Sequence, residues 1–196
     1  MNAPRPHRSL APLVRWLHTY VSMLCFASLL FFAVTGITLN HAEWLEAAES
    51  AREATGHVDP ELLAADVDKL AVVEHLRSAH KITGALHDFA VNDTECVVVF
   101  KRPGQTDDVT IARDTGDYLV TSASRGAVAI LNDLHKGRDS GARWSWFIDL
   151  SAAALAIAGV TGIWLLCYVR RRRRAGLLWA AAGTALPFAL YFLAVP

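Results

Sequence analysis

Acidic residues are missing from both ends of this chain. All 19 lie between Glu43 and Asp149, and outside that segment the only charged side chains are arginines: Arg5, Arg8, Arg15 and Arg170–Arg174. The middle segment holds 11 Lys and Arg and so carries a net charge of −8, although the whole chain sums to zero. Cysteine is scarce as well. Cys25 and Cys167 fall in apolar runs and Cys96 stands alone between them, which excludes a disulfide framework and predicts buried small apolar side chains instead. There is no C-x-x-C-H for covalent haem attachment and no glycine-rich flavin or nicotinamide fingerprint.

What the chain has in excess is apolar length. Leu17–Leu39 contains no Asp, Glu, Lys or Arg over 23 residues. As a helix it would reach roughly 35 Å, enough for a hydrocarbon core of ~30 Å. Trp146–Val169 and Ala175–Val195 are also long enough, so three membrane-spanning helices are expected. The block lengths favour helices over barrel strands. Arginines flank the start of the first block and the end of the second, and the positive-inside rule places both in the cytoplasm. The acidic middle segment is then outside, periplasmic in a bacterial inner membrane. The first block is too long for a secretory signal, and ITLNHAEW is a poor cleavage site. The arginine run reads as a stop-transfer and lipid-headgroup contact rather than a nucleic-acid patch.

This divides the chain into a cytoplasmic tail (1–16), a first span (17–41), an outer module (42–143), a second span (144–169), an arginine-rich loop (170–174) and a third span (175–196). Trp16, Tyr20, Trp164 and Trp179 mark the inner interface, and Trp44, Trp144 and Trp146 the outer one. In the module, the first helix is expected to continue past Ala42, with Glu43, Glu46, Glu49 and Arg52 on a charged face and Gly56 as its end. His57–Pro60 reads as a linker. Val67–Lys81 has the period of an amphipathic helix, with Val67, Leu70, Val73 and Leu76 on one side. Leu86–Val91, Cys96–Phe100, Val109–Ala112 and Tyr118–Val120 alternate with turn clusters and predict an antiparallel meander. Gly126–Lys136 predicts a further helix carrying Ala127, Ile130, Leu131 and Leu134. The fold class is therefore a three-helix membrane bundle with an α+β outer module.

One short echo stands out. Val34-Thr-Gly-Ile37 recurs as Val160-Thr-Gly-Ile163, in spans that run in opposite directions. Glycine there allows close approach of another backbone or a large flat group. Ala154, Ala158 and Gly162 add a small-residue stripe that reads as helix packing.

Of the eight histidines, His7 lies in the tail, and His57, His75, His80 and His87 are scattered through the module without a metal-ligand spacing. His18, His41 and His135 differ by position: His41 follows the first span, His135 lies about eleven residues before Trp146 on the same side, and His18 lies at the opposite face. Ionisable groups there are candidate functional residues. His41 and His135 share the outer side and could ligate haem iron, with Asn40, Asn132 and Asp133 as acceptors for the second ring nitrogen. His18 stands alone at the inner side, so an inner haem would need the His18 of a second copy across a two-fold axis. Helix-end capping and ordinary interface placement account for the same positions.

Arg15-Trp-Leu-His-Thr19, Thr35-Gly-Ile-Thr-Leu-Asn-His41, Leu131-Asn-Asp-Leu-His-Lys-Gly-Arg138 and Trp144-Ser-Trp-Phe-Ile-Asp149 together resemble the PepSY-associated transmembrane-helix family, and the helix-meander module resembles a PepSY domain. The resemblance covers about Arg15–Arg170. Larger relatives include bacterial inner-membrane ferric-siderophore reductases with b haems. It implies non-covalent haem b, with His18, His41 and His135 as motif histidines. The expected function is electron transfer across the membrane, in a homodimer, to ferric iron or a ferric siderophore, from a quinol or another membrane donor. Arg138 and Arg143 would hold haem propionates or lie at lipid headgroups. Asp149 is expected at the interface. The lipid bilayer is an expected partner and nucleic acid is not. The alternative is a non-redox anchor whose PepSY module binds a partner such as a protease or sensor.

Overall fold

The computed structural model describes residues 10–41, 43, 49–64 and 66–195. It divides into two compact units, one formed by the chain's two ends up to Leu30 and from Asp149, the other by Phe31–Ile148.

In the first unit, α1 (Ala11–Leu24) opens with proline in its first turn, where the missing N–H costs nothing. The helix α2 (Phe26–Leu39) follows after a 53° bend at Cys25. The apolar block from Leu17 is thus not one straight rod, as its composition predicted, but the core of a bent pair that begins at Ala11. The cause is local. Ser28 donates its hydroxyl proton to Cys25 O at 2.8 Å, and the Cys25 thiol points back to Ser22 O at 3.6 Å. Such side-chain bonds to the preceding turn bend helices. Val14, Cys25 and Ser28 are buried, with His18 and Val21 half-buried, and this spacing of four and three forms one seam.

The helix α5 (Gly141–Tyr168) presents a matching seam of small residues, with Ser151 and Thr161 buried and Ala154 and Ala158 half-buried. The helix α6 (Arg173–Ala194) buries no residue. Helices α5 and α6 are each long and apolar enough to cross a membrane, and the bent α1–α2 pair makes a third span if it counts as one. Cys96 is buried as expected, whereas Cys167 is exposed on α5.

The second unit centres on a five-stranded antiparallel sheet in the order β1-β5-β4-β3-β2. The strands are β1 (Ser50–His57), β2 (Ala85–Val91), β3 (Glu95–Arg102), β4 (Gln105–Ala112) and β5 (Asp117–Ser124). The four-strand meander follows the expected order. The edge strand β1 was not foreseen: Arg52–Gly56, expected to end a helix, pairs in register with β5 from Ser50↔Ser124 to His57↔Asp117. Its sequence, SAREATGH, has no apolar alternation, and its residues are all exposed except half-buried Gly56. Backbone pairing supplies what side-chain burial does not. Glu46 lies outside the described residues.

The helix α3 (Lys69–His80) starts on the Asp68 side chain, which accepts the Ala71 N–H, and ends on Lys81 in the left-handed conformation. It buries Val72, Val73 and Leu76 against Val98, Phe100, Val109, Ile111 and Val120. Leu70, expected on that face, is exposed. The helix α4 (Gly126–Lys136) matches its predicted limits but not its predicted face. Ala129, Asn132 and Asp133 are buried, while Ile130 and Leu131 are largely exposed. Asp133 explains the inversion. Its carboxylate accepts the Gly104 N–H at 2.9 Å and lies 3.4 Å from the Arg125 guanidinium and 3.8 Å from that of Arg138. A polar pin on the β3–β4 turn therefore orients α4 where apolar periodicity pointed elsewhere.

Candidate functional site

His135 lies in the last turn of α4. Gly137 closes the helix at φ 68°, with Arg138 N–H returning to Asp133 O and Gly137 N–H to Leu134 O. Only glycine enters that conformation without strain. Trp144 Nε1 donates to Leu134 O at 2.7 Å and its ring meets Phe31 edge-on, so this tryptophan packs the corner.

The His135 ring rests on α2. Its Nδ1 is 2.6 Å from Thr35 Oγ1, its ring meets Phe32 edge-on at 5.1 Å, and a Cβ added to Gly36 would stand 3.9 Å from its Cε1. Thr35 Oγ1 also lies 2.6 Å from Phe31 O. A carbonyl only accepts, so the single hydroxyl proton goes to Phe31 O and Thr35 accepts from His135. That places the imidazole proton on Nδ1. Nε2 keeps its lone pair and has no hydrogen-bond partner among the described residues.

A second rung lies one helical turn further along. Thr38 Oγ1 is 2.6 Å from the Asn132 side-chain oxygen and 2.9 Å from Thr35 O, while Asn132 Nδ2 is buried without a partner. Turning the amide over would let Nδ2 donate to Thr38 and Thr38 donate to Thr35 O, and it would leave Oδ1 rather than Nδ2 as the buried atom without a partner. Asn132 therefore serves Thr38 and Asp133 serves the β3–β4 turn. Neither supplies the acceptor for a candidate histidine, as had been expected, and the role falls to Thr35. Asn40 N–H returns to Ile37 O at the helix end.

His18, on α1 in the first unit, shows the same arrangement. Its Nδ1 is 3.0 Å from Thr161 Oγ1 and 3.1 Å from Ala158 O on α5, and a Cβ on Gly162 would come within 3.3 Å of its Cε1. The Thr161 hydroxyl reaches Ile157 O at 2.7 Å. Since Ala158 O can only accept, His18 carries its proton on Nδ1, and its Nε2 too has no partner among the described residues. Thr161 and Thr35 are the side chains that meet Nδ1 of His18 and His135. The signal for them was the repeated Val-Thr-Gly-Ile, and each copy holds one histidine.

His41 follows α2 and directs Nδ1 to Glu43 Oε1 at 2.9 Å. The Glu43 carboxyl is held below its usual range, first by a bond to its own backbone and then by His41. The three candidate histidines thus share an oxygen-bound Nδ1. His135 meets α2 at Thr35, roughly 9 Å of helix rise before His41. Arg138 is exposed and ion-paired to Asp133, Arg143 is exposed, and Asp149 is exposed. His57 pairs with Asp117 at 3.1 Å, and His80 Nε2 is 2.9 Å from the Tyr118 hydroxyl. No group of three or more His, Cys, Asp or Glu among the described residues forms a metal-ion cluster. A concavity of about 1070 Å³ is lined by His57, Glu95, Asp114 and Asp117 at one end of the sheet. None of His18, His41 or His135 lines it, so it is separate from the histidine chemistry.

Compared with known proteins, the sequence profile of a family described as "Putative PepSY_TM-like" matches residues 12–196. No curated protein and no solved structure matches.

Proposed function

The chain belongs to the PepSY_TM-like family, and on that premise we propose that it is a membrane haem b protein that carries electrons outward across a bacterial inner membrane. The observation that supports this reading is the shared state of His18, His41 and His135, each with Nδ1 bonded to an oxygen. Histidines that bind metal through Nε2 commonly donate the other N–H in this way, which fixes the tautomer and strengthens the ligand. The residues present therefore fit the group. His41 and His135 would serve a haem on the outer side. His18 would serve one on the inner side with the His18 of a second copy, making the working unit a homodimer. Arg138 and Arg143 are the cations available for propionates.

Bound haem supplies one-electron chemistry. The protein's part is to hold the ligand tautomer, to exclude water with apolar helices, and to present the outer module to the acceptor. In this reading the N-terminus and Arg170–Arg174 are cytoplasmic and residues 42–143 lie outside, which the positive flanks support. The proposed donor is a quinol or another reduced membrane carrier. The proposed acceptor is ferric iron or a ferric siderophore, with ferrous iron as product.

The test is an absorption spectrum of the full chain, purified from haem-replete cells. A Soret band that shifts on dithionite reduction is expected, with His18→Ala, His41→Ala and His135→Ala each losing haem. A colourless preparation overturns the redox reading and leaves a membrane-anchored binding module. Full haem content in all three variants overturns the ligand assignment.

A further inference from the structure

The two Val-Thr-Gly-Ile segments do the same thing twice. In each, a buried threonine, 1% exposed for Thr35 and 6% for Thr161, gives its proton to its own helix at the i−4 carbonyl. The oxygen lone pair left over faces out of the helix and takes the Nδ1–H of a histidine from another helix. The following glycine, Gly36 or Gly162, leaves the helix surface open beside the imidazole Cε1. Threonine suits this because the back-bond satisfies its hydroxyl proton within the helix and makes it a pure acceptor on the outside. One such contact would be ordinary packing. The same tetrapeptide in the same atomic roles, in two separate units of the chain, is a reused device.

We propose that Thr35 is a positioning residue that locks His135 as the Nδ1–H tautomer, that Thr161 shares this role for His18 with the Ala158 carbonyl, and that both raise the donor strength of the histidine Nε2 toward haem iron. The inference rests on the haem reading for its purpose but not for its first measurement. A hydrogen-bond acceptor behind an imidazole ligand increases its basicity, which tightens binding and favours ferric over ferrous iron. Valine has nearly the shape of threonine and removes the hydroxyl, with both its outward acceptor and its bond to the i−4 carbonyl. Serine restores it.

The experiment uses the full chain in detergent, labelled with ¹⁵N-histidine, without haem and then with it. Two-bond proton–nitrogen correlations identify which ring nitrogen carries the proton. Wild type is expected to show the Nδ1–H pattern for His18 and His135. Thr35→Val should convert only His135 to a mixture, and Thr161→Val should leave His18 as the Nδ1–H tautomer held by Ala158 O alone, with only its Nδ1 signal shifted, whereas Thr35→Ser and Thr161→Ser keep the wild-type pattern. With haem bound, each valine variant should bind haem about 10–100-fold more weakly and raise the midpoint potential of one component only. An Nε2–H pattern in wild type, or a Thr35→Val variant whose His135 tautomer and midpoint do not move, overturns the proposal. Colourless wild type with the Nδ1–H pattern overturns the haem reading and with it the ligand-tuning half of the proposal, leaving the tautomer lock. Red wild type with unmoved valine variants overturns the proposal alone.

Discussion

Thr35 and His135 stand a hundred positions apart in the chain and 2.6 Å apart in the structure. That one hydrogen bond joins the exit of the first apolar segment to the last turn of the helix that leaves the sheet. It also decides which nitrogen of His135 faces outward. Neither consequence depends on the ring being charged, because the threonine proton is already committed to Phe31 O.

The glycines beside the two histidines should respond differently to the same change. A Cβ at Gly36 would sit 3.9 Å from His135 Cε1, ordinary contact, but one at Gly162 would sit 3.3 Å from His18 Cε1. Gly36→Ala should therefore be neutral or stabilise its helix by up to about 1 kcal/mol. Gly162→Ala should lose that gain by pushing His18 off Thr161. Thermal unfolding of both variants in one detergent, together with the His18 ¹⁵N signal, checks this.

Asp133 should matter more for its shape as an acceptor than for its charge. Asp133→Ala leaves the Gly104 N–H unpaired and frees Arg125 and Arg138, and should cost about 2–4 kcal/mol. Asp133→Asn keeps an acceptor oxygen for Gly104 and should cost less than half as much. Chemical denaturation of the full chain, followed by tryptophan emission, separates the two.

Gly56 is covered by the ring of Tyr118, and any Cβ there would fall on the phenol. Gly56→Ala should displace the ring, break the His80–Tyr118 hydrogen bond and destabilise the module by about 1–3 kcal/mol. Tyr118→Phe removes only the hydroxyl and should cost about 1 kcal/mol. Burial already pushes the Tyr118 hydroxyl above its usual pKa. An ultraviolet titration of the wild type should accordingly show one tyrosine ionising late.

His57 and Asp117 close the far end of the β1–β5 ladder. The Asp117 carboxyl is held below its ordinary pKa, first by His57 and then by Thr115. A depressed folded-state value means that the interaction stabilises above the unfolded pKa of about 3.9 and is lost as pH falls through the folded value. His57→Ala should move the Asp117 titration, followed by carboxyl ¹³C shifts, back toward the ordinary value. An unmoved Asp117 would show that Thr115 and the backbone hold it.

The four meander strands and the limits of α3 and α4 were legible because apolar period and turn residues agree there. The misreadings have local causes. Strand β1 carries helix-forming residues and is held by its partner's backbone. The faces of α3 and α4 depend on what lies opposite, and for α4 that is the Asp133 pin. The bend at Cys25 comes from one serine hydroxyl, which hydropathy does not register.

Composition and spacing alone determined that this chain has apolar segments of membrane length, a charge distribution with cationic ends and an acidic centre, and histidines at both ends of the first segment with His135 about eleven residues before Trp146. These are properties of residue type and spacing, and they survive any packing. Only the tertiary structure decided which oxygen each histidine meets, and hence which nitrogen is left open. A hydrogen-bond direction depends on where every other proton on the network goes, and that information appears only when Thr35 and Thr161 are seen bonded to their own helices. The repeated Val-Thr-Gly-Ile was visible in the sequence from the start. Its meaning lay in contacts of 100 and 143 positions' separation.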